Sequence, residues 1–398
     1  MPANRAHCIK IGQKNARGTA RSIRRFPASA SWGGTRSRSP VKTFKCDACG
    51  NTVYFENIRC LKCGHALGFQ SERLEMATLA PPNGRLYREL RKGAYARYAY
   101  CANEQQGGCN WLVRDGAPTP YCAACALNRT IPDLSQPQNV DAWRIFERAK
   151  KRLVYSLLRL GLPLDGSAVG KVPLTFDFIN DALTGHFDGV ITIAVGEADS
   201  VERERQRKAM AETYRSLLGH LRHESGHYYW MLLVDGTSSI DFYRQLFGDE
   251  RIDYSAALDR HHQEGPPSDW ALRHVSAYAS SHPWEDWAET WAHYLHIVDA
   301  LETAAVHKIE PQAGKLLPLG AWPAKPLDVY RTRDFEGLIK RWVPLALALN
   351  DINRSMGHGD FYPFVIPEVA VSKLAFVHRV IRNVTAESLR NDRIRSRV

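Results

Sequence analysis

Residues 219–230 read GHLRHESGHYYW and contain the pattern His-Glu-x-x-His at His223, Glu224 and His227. The leucines and other helix formers around this pattern predict an α-helix. Residues four apart share one helix face, so the two imidazoles can bind one Zn2+ ion while Glu224 lies beside the open coordination position. A carboxylate there can take a proton from water and later pass it to a leaving amine. The stretch therefore predicts a zinc centre for hydrolytic chemistry.

A catalytic zinc ion needs a third protein ligand, and residues 280–304 (SSHPWEDWAETWAHYLHIVDALETA) are its best source. Pro283 suits a first helical turn, and large apolar residues recur behind it at helical spacing. A second, polar line runs along the same predicted helix and contains Glu285, Glu289, His293 and His296. Because a polar line on so aromatic a helix indicates a buried ion or a cleft, we expect Glu289 to be the third ligand.

The neighbours of Glu289 have supporting roles in this interpretation. Glu285 and His293 lie one turn to either side and are expected to orient Glu289 or the histidine ligands. Asp235 and Asp241, in LVDGTSSID, remain open as alternative third ligands.

Three further residues near the predicted centre carry weaker expectations. Tyr278 precedes Glu289 by eleven residues, and its phenol is a candidate hydrogen-bond donor to a tetrahedral oxyanion, a catalytic role that His282 could also fill. His220 falls on the face of the histidine pair, and we expect it to pack or to support the site rather than to bind metal.

Eight cysteines fall between residues 46 and 125 in two groups of four. The first group is C-x2-C-x10-C-x2-C and the second is C-x7-C-x12-C-x2-C; the members are Cys46, Cys49, Cys60 and Cys63, then Cys101, Cys109, Cys122 and Cys125. Paired CxxC turns suit tetrahedral zinc, and a closed four-cysteine site serves folding rather than catalysis. We therefore predict two structural zinc ions, with ligands exchanged between the groups left open as an alternative.

The remaining patterns predict an α+β protein in three parts. Residues 1–43 form a disordered basic tail, residues 44–130 a small β-rich zinc-ribbon domain, and residues 131–398 a mainly helical domain with a small twisted sheet. Residues 141–160 have helical periodicity, while residues 172–179 (VPLTFDFI) and 189–195 (GVITIAV) are typical of adjacent strands.

The chain resembles a bacterial family of zinc-binding metallopeptidases with an N-terminal zinc ribbon, and through it the gluzincins. The resemblance rests on three sequence segments, HLRHESGHYYW, SAYASSHPWEDWAETWAHYLH and NRSMGHGDFYPF. The resemblance implies a zincin-like fold, His223, His227 and Glu289 as ligands, and Glu224 as general base and acid. It also implies a sheet whose edge strand binds extended peptide, and GVITIAV is the natural candidate for that edge.

The net charge of +11 does not indicate a nucleic-acid-binding surface. Residues 1–45 hold eleven Lys or Arg and no acidic residue, so the rest of the chain carries 42 basic and 42 acidic side chains. Phosphate binding depends on a local basic excess. The chain also lacks a secretory signal and any apolar run long enough for a membrane helix, and CxxC pairs without a secretory signal favour metal in a reducing compartment. We therefore expect a cytoplasmic protein without a membrane partner.

Three functions remain open at this stage. The first is a zinc metallopeptidase that acts on a peptide or protein, with one catalytic and two structural zinc ions. The second is a zinc-ribbon module that binds nucleic acid or protein beside an inactive HExxH domain. The third is a zinc-dependent hydrolase of non-peptide amides.

Overall fold

The computed structural model describes most of the chain between residues 43 and 395. Outside the described residues lie residues 1–42, Lys92, residues 167–170, Asp181, Leu183, residues 210–212, residues 310–327 and residues 396–398. The predicted basic tail therefore falls outside them, except for Thr43. The described elements confirm an α+β protein with a β-rich cysteine-containing region followed by a mainly helical part.

Seven short strands build the N-terminal region. They are β1 (Thr43–Lys45), β2 (Thr52–Tyr54), β3 (Ala66–Gln70), β4 (Glu75–Leu79), β5 (Tyr87–Arg88), β6 (Arg97–Tyr100) and β7 (Leu112–Arg114). The first four form two antiparallel hairpins, and the last three form one antiparallel sheet. Phe55, Phe69 and Trp111 pack together at the centre, next to the buried cysteines. So small an apolar core is typical of a domain that depends on metal for stability.

Helix α1 (Pro137–Leu160) belongs to the cores of both parts of the chain. It begins four residues before the predicted start, with proline in its first turn, and ends at Gly161 in the left-handed conformation. Tyr155 packs edge-on against Phe55 of the N-terminal region, with ring centroids 5.3 Å apart, and its hydroxyl donates to Glu302 of the helical part at 2.9 Å. The two parts therefore share a buried helix.

A four-stranded sheet lies at the start of the helical part. Its strands are β8 (Asn128–Thr130), β9 (Thr175–Ile179), β10 (Gly185–Phe187) and β11 (Val190–Ala194), in the spatial order β10-β11-β9-β8. β8, β9 and β11 are parallel, and β10 runs antiparallel to β11.

The prediction that GVITIAV forms an edge strand is therefore wrong, because this segment is β11, which is internal, and the edges are formed by β10 and β8. A two-residue turn at Asp188 and Gly189, both with positive φ, joins β10 to β11, as tight hairpins require. The sequence does not reveal β10, because it has three residues and begins with glycine.

The helices that follow place the HExxH pattern against the aromatic segment. They are α2 (Ser200–Ala209), α3 (Leu217–Leu233), α4 (Ile240–Phe247), α5 (Tyr254–Glu264), α6 (Trp270–Arg273), α7 (Pro283–His307), α8 (Phe335–Ser355) and α9 (Glu368–Arg395). Helices α3 and α7 pack closely against each other, and α7 begins at the predicted Pro283. Among the described helices, none is both long and apolar enough to cross a membrane.

Gly226, inside the HExxH pattern, permits the close contact of α3 and α7. A Cβ atom at this position would lie 2.9 Å from the Cα atom of Ala288 and 3.2 Å from the side chain of Trp291. The ring nitrogen of Trp287 also donates to the Gly226 carbonyl at 2.8 Å. The absent side chain lets the backbones approach, which brings the residues on facing sides of the two helices within reach of each other.

Candidate metal centres

The first cysteine group forms a compact four-sulfur cluster. The Sγ atoms of Cys46 and Cys63 lie 3.5 Å apart and those of Cys49 and Cys60 lie 3.6 Å apart, and all four lie within 4.8 Å of one another. Gly50 and Gly64, which close the two turns, have positive φ. A hydrogen bond from the backbone N–H of Cys63 helps lower the pKa of the Cys60 thiol to about 6, which favours the thiolate that binds zinc.

The second cysteine group is wholly buried. Cys101, Cys109, Cys122 and Cys125 place their sulfur atoms within 4.8 Å of one another. The groups are therefore those of the chain order, and the structure does not exchange ligands between them. Cys125 also contacts Glu147 of α1, with 3.3 Å between the sulfur and a carboxylate oxygen, so this group is joined directly to the helix that both parts share.

The third group combines the histidine pair of α3 with Glu285 of α7. The Nε2 atom of His223 lies 3.0 Å from Oε2 of Glu285, and Nε2 of His227 lies 3.5 Å from Oε1 of the same carboxylate. Glu285 is 1% exposed. Two imidazole nitrogens and one carboxylate oxygen, gathered within 4.8 Å, form a donor set that zinc takes at catalytic sites.

Glu289, the expected third ligand, lies on the other side of the His223 ring. Its Oε1 atom is 2.7 Å from Nδ1 of His223, and its Oε2 atom accepts a hydrogen bond from Ser276 at 2.6 Å. The structure thus brings Glu285, rather than Glu289, to the Nε2 atoms. The two glutamates are one turn apart on α7, and the packing of α3 against α7 decides which of them reaches the inner edge of the ring.

The two glutamates hold His223 between two negative charges. Burial alone would lower the pKa of His223, but Glu285 and Glu289 raise it well above its usual value. Although burial opposes ionisation, contact with histidine lowers the pKa of each glutamate to about 2. Because a cation at Nε2 would displace the proton that this atom carries, the charges of the group fit a divalent metal.

Glu224 lies beside this group without belonging to it. It is 9% exposed, and burial raises its pKa to about 7, with Glu285 and Glu289 contributing and His223 opposing. A carboxyl group with a pKa near neutrality can both accept and release a proton. Its place next to His223 on α3, within electrostatic range of Glu285 and Glu289, is compatible with the role expected of the second residue in HExxH.

Two phenols approach the group from the segment between α4 and α7. The ring centroid of Tyr278 is 6.0 Å from that of His223, while the hydroxyl of Tyr254, at the start of α5, donates to Oε1 of Glu285 at 2.7 Å. Burial and the Glu285 charge raise the pKa of Tyr254, which therefore stays a donor. The sequence did not indicate Tyr254, because it lies 31 residues from its partner in no recognisable motif.

The other candidates from the sequence lie outside the group. His282 caps α7, since its Nδ1 atom accepts from the N–H of Trp284 at 3.0 Å. Asp235 forms an ion pair with Lys171 at 2.8 Å, and Asp241 is exposed on α4.

Two histidines have partners of their own. The Nδ1 atom of His220 is 3.3 Å from Glu197. His293 contacts the hydroxyl of Tyr362 at 2.5 Å rather than a ligand candidate.

Comparison with known proteins finds two family models and several relatives that match the chain. A family described as "Putative zinc-binding metallo-peptidase" matches residues 139–380, more than half of the chain, and a zinc-ribbon domain matches residues 43–136. The chain is 39% identical over 353 residues to the uncharacterized proteins Rv2568c of Mycobacterium tuberculosis and Mb2598c of Mycobacterium bovis; the match covers 87% of this chain and 97% of theirs. No solved structure matches the chain. The chain therefore belongs to the family of "Putative zinc-binding metallo-peptidase" proteins and carries an N-terminal zinc-ribbon domain.

Proposed function

We propose that this protein is a zinc-dependent metallopeptidase, with His223, His227 and Glu285 as the ligands of the catalytic metal. The observation that carries the proposal is the placement of one buried carboxylate against the Nε2 atoms of both HExxH histidines. Three protein ligands leave a position for water or substrate, as in catalytic zinc sites.

The residues around the metal site have different roles in peptide hydrolysis. A bound zinc ion would lower the pKa of water and polarise the peptide carbonyl. Glu224 accepts the proton that water loses and later donates it to the nitrogen of the departing amine. Tyr278 donates a hydrogen bond to the oxyanion that develops on the substrate carbonyl.

Glu289 orients a ligand instead of binding the metal. By accepting a hydrogen bond from Nδ1 of His223, it fixes the tautomer that leaves Nε2 free for the metal. Ser276 holds the second oxygen of Glu289, so the carboxylate has a defined position.

We propose that β10 binds the substrate in an extended conformation. In an antiparallel hairpin, opposed residue pairs alternate between pairs that share backbone hydrogen bonds and pairs that do not. Phe187 and Val190 form the hydrogen-bonded pair next to the turn, so His186, in the following pair with Ile191, directs its backbone N–H and C=O groups away from β11. The His186 side chain lies near the proposed metal site, with its ring centroid 6.1 Å from that of His227. A peptide added to this edge would therefore pass next to the metal ligands.

The two cysteine groups each hold a structural zinc ion in this proposal, so the protein binds three ions. Each group offers four sulfur ligands, which leaves no position for a substrate. The two ions stabilise the fold of the N-terminal region. Through the contacts of Glu147 and Tyr155 on α1, they also stabilise the attachment of this region to the helical part.

The test is cleavage of a peptide library by the full chain and by Glu224→Gln, which keeps the shape of the side chain. We expect the variant to retain its zinc content and to lose activity by about 10²- to 10⁴-fold, the usual contribution of a general base. Glu336→Gln, at an exposed position on α8, is the matched control and should cleave like the wild type. Equal cleavage by wild type and Glu224→Gln would overturn the assignment of the base. A wild type that binds three zinc ions and cleaves no peptide would overturn the peptidase proposal.

A further inference from the structure

Tyr254 makes the closest polar contact from the segment between α4 and α7 to the proposed metal ligands. Its hydroxyl donates to Oε1 of Glu285 at 2.7 Å. The Tyr254 ring packs edge-on against His282 and Trp284, with centroids 5.1 Å and 5.8 Å away, while the residue as a whole is 37% exposed. The phenol is therefore held in place by packing as well as by its hydrogen bond.

The backbones that carry Tyr254 and Glu285 are also tied together. The Asp253 side chain caps α5 by accepting from the N–H of Ala256 at 2.9 Å. His282 donates through Nε2 to the carbonyl of Ile252 at 3.3 Å and accepts through Nδ1 from Trp284. The start of α5 and the start of α7 are thus joined by one imidazole, which fixes the distance between the phenol and the carboxylate.

The two oxygens of Glu285 have different partners. Oε2 faces Nε2 of His223 at 3.0 Å, whereas Oε1 accepts a hydrogen bond from the Tyr254 hydroxyl at 2.7 Å and lies farther, at 3.5 Å, from Nε2 of His227. A glutamate can bind zinc through one oxygen or through both, and two-oxygen binding would fill part of the space that water and substrate need. A hydrogen bond to one oxygen competes with its coordination to the metal and holds the other oxygen in one orientation.

We propose that Tyr254 is a positioning residue that restricts Glu285 to one-oxygen coordination and thereby strengthens zinc binding while keeping the fourth position open. This inference rests on the ligand set of the proposed function. It also gives the two neighbouring phenols of the site different roles: Tyr254 acts on the metal through Glu285, while Tyr278, which interacts with Tyr254 and packs near His223, acts on the substrate.

The experiment compares Tyr254→Phe with Tyr278→Phe in the full chain. Both changes remove one hydroxyl and keep the ring, so the ring contacts of Tyr254 with His282 and Trp284 persist. Tyr95→Phe is the control, because Tyr95 is 91% exposed in the N-terminal region. The first readout is the zinc dissociation constant of the weakest site, measured by competition with a chelator. The second is the visible spectrum after Co2+ replaces zinc at that site.

We expect Tyr254→Phe to bind zinc about 10- to 100-fold more weakly, the usual cost of losing a hydrogen bond to a metal ligand. Its Co2+ spectrum should shift toward that of a higher coordination number. Tyr95→Phe should keep the wild-type affinity and spectrum, and Tyr278→Phe, which loses only the neighbour of Tyr254, should change them much less than Tyr254→Phe.

Unchanged affinity and spectrum in Tyr254→Phe would overturn the role of Tyr254 alone. A wild type that binds only two zinc ions would overturn this inference and the proposed function together. A wild type that binds three ions without cleaving peptides would overturn the proposed function, while a weakened third site in Tyr254→Phe would still support the role of Tyr254.

Discussion

The cysteine groups take their ligands from a short stretch of chain, whereas the histidine and glutamate group takes them from two helices. In the first group, two CxxC turns bring all four sulfurs together within residues 46–63. In the third, Glu285 lies 62 residues after His223, and its place depends on how α7 packs on α3. In the proposed function the sulfur sites are closed and serve folding, while the mixed site depends on a completed fold and leaves a coordination position open for chemistry.

The largest difference between the two kinds of site should appear in stability. Replacing Cys122, which is 3% exposed, with serine removes a ligand from the buried cysteine group. Structural zinc contributes about 10–16 kcal/mol in small zinc domains, which equals or exceeds the stability of a typical domain. We expect Cys122→Ser to lose one zinc ion and to unfold the N-terminal region, as measured by circular dichroism and metal analysis.

His227→Ala is the matched comparison for that change. It should also lose one zinc ion, yet it should destabilise the protein far less than Cys122→Ser and leave it folded, because the change removes ring packing such as that of His227 on Trp284 while Glu285 keeps its contacts with His223 and Tyr254. If both variants unfolded to the same extent, the division into folding and catalytic sites would be wrong.

The second largest difference should appear in how easily a chelator removes zinc from the two kinds of site. Thiolate sites bind zinc more tightly than a site with two histidines and one carboxylate, and the cysteine groups have no open position through which a chelator could bind the metal. Mild treatment with a chelator should therefore remove one ion of three, abolish peptide cleavage and leave the fold intact. One equivalent of zinc should restore the activity. Loss of all three ions in a single step would contradict the comparison.

Gly226→Ala tests the close packing that brings Glu285 to the histidines. Alanine favours a helix over glycine by about 1 kcal/mol, but its Cβ atom would lie 2.9 Å from the Cα atom of Ala288. Overpacking of this kind costs about 1–3 kcal/mol, so we expect a net loss of stability in urea unfolding together with weaker zinc binding. Gly359→Ala is the control, because that position has open space and no positive φ. A stabilised Gly226→Ala would show that the helices can separate without cost.

The smallest effect concerns pH and is expected in the helical part. Burial and the Arg382 charge lower the pKa of His378 to about 4, below the value of about 6.5 in an unfolded chain. Between these values the unfolded state binds a proton that the folded state does not, so stability falls as the pH falls from 6.5 toward 4. The free energy of unfolding is measured in urea at pH 7 and at pH 5.5. We expect its decrease between the two pH values to be smaller in His378→Gln than in the wild type, by about 1 kcal/mol per pH unit. An unchanged pH dependence would show that His378 is not the titrating group.

The difference between local sites and sites built by helix packing also explains which features could be predicted from the sequence. The cysteine groups, the HExxH helix and the start of α7 at Pro283 follow from spacing and helical period, which are local properties. The placement of Glu285, and not Glu289, at the Nε2 atoms of the histidines does not follow from the sequence, because both glutamates lie on the same polar line and only the rotation of α7 against α3 distinguishes them. Tyr254 and β10 were not predicted for a related reason, since a single phenol and a three-residue strand carry no periodic signal.

The most direct test of the account is anomalous diffraction at the zinc absorption edge from crystals of the full chain. We predict three peaks, two inside the cysteine groups and one about 2.0–2.2 Å from Nε2 of His223, Nε2 of His227 and one oxygen of Glu285. Glu289 should stay hydrogen-bonded to Nδ1 of His223. A peak coordinated by Glu289, or no peak between α3 and α7, would contradict the account.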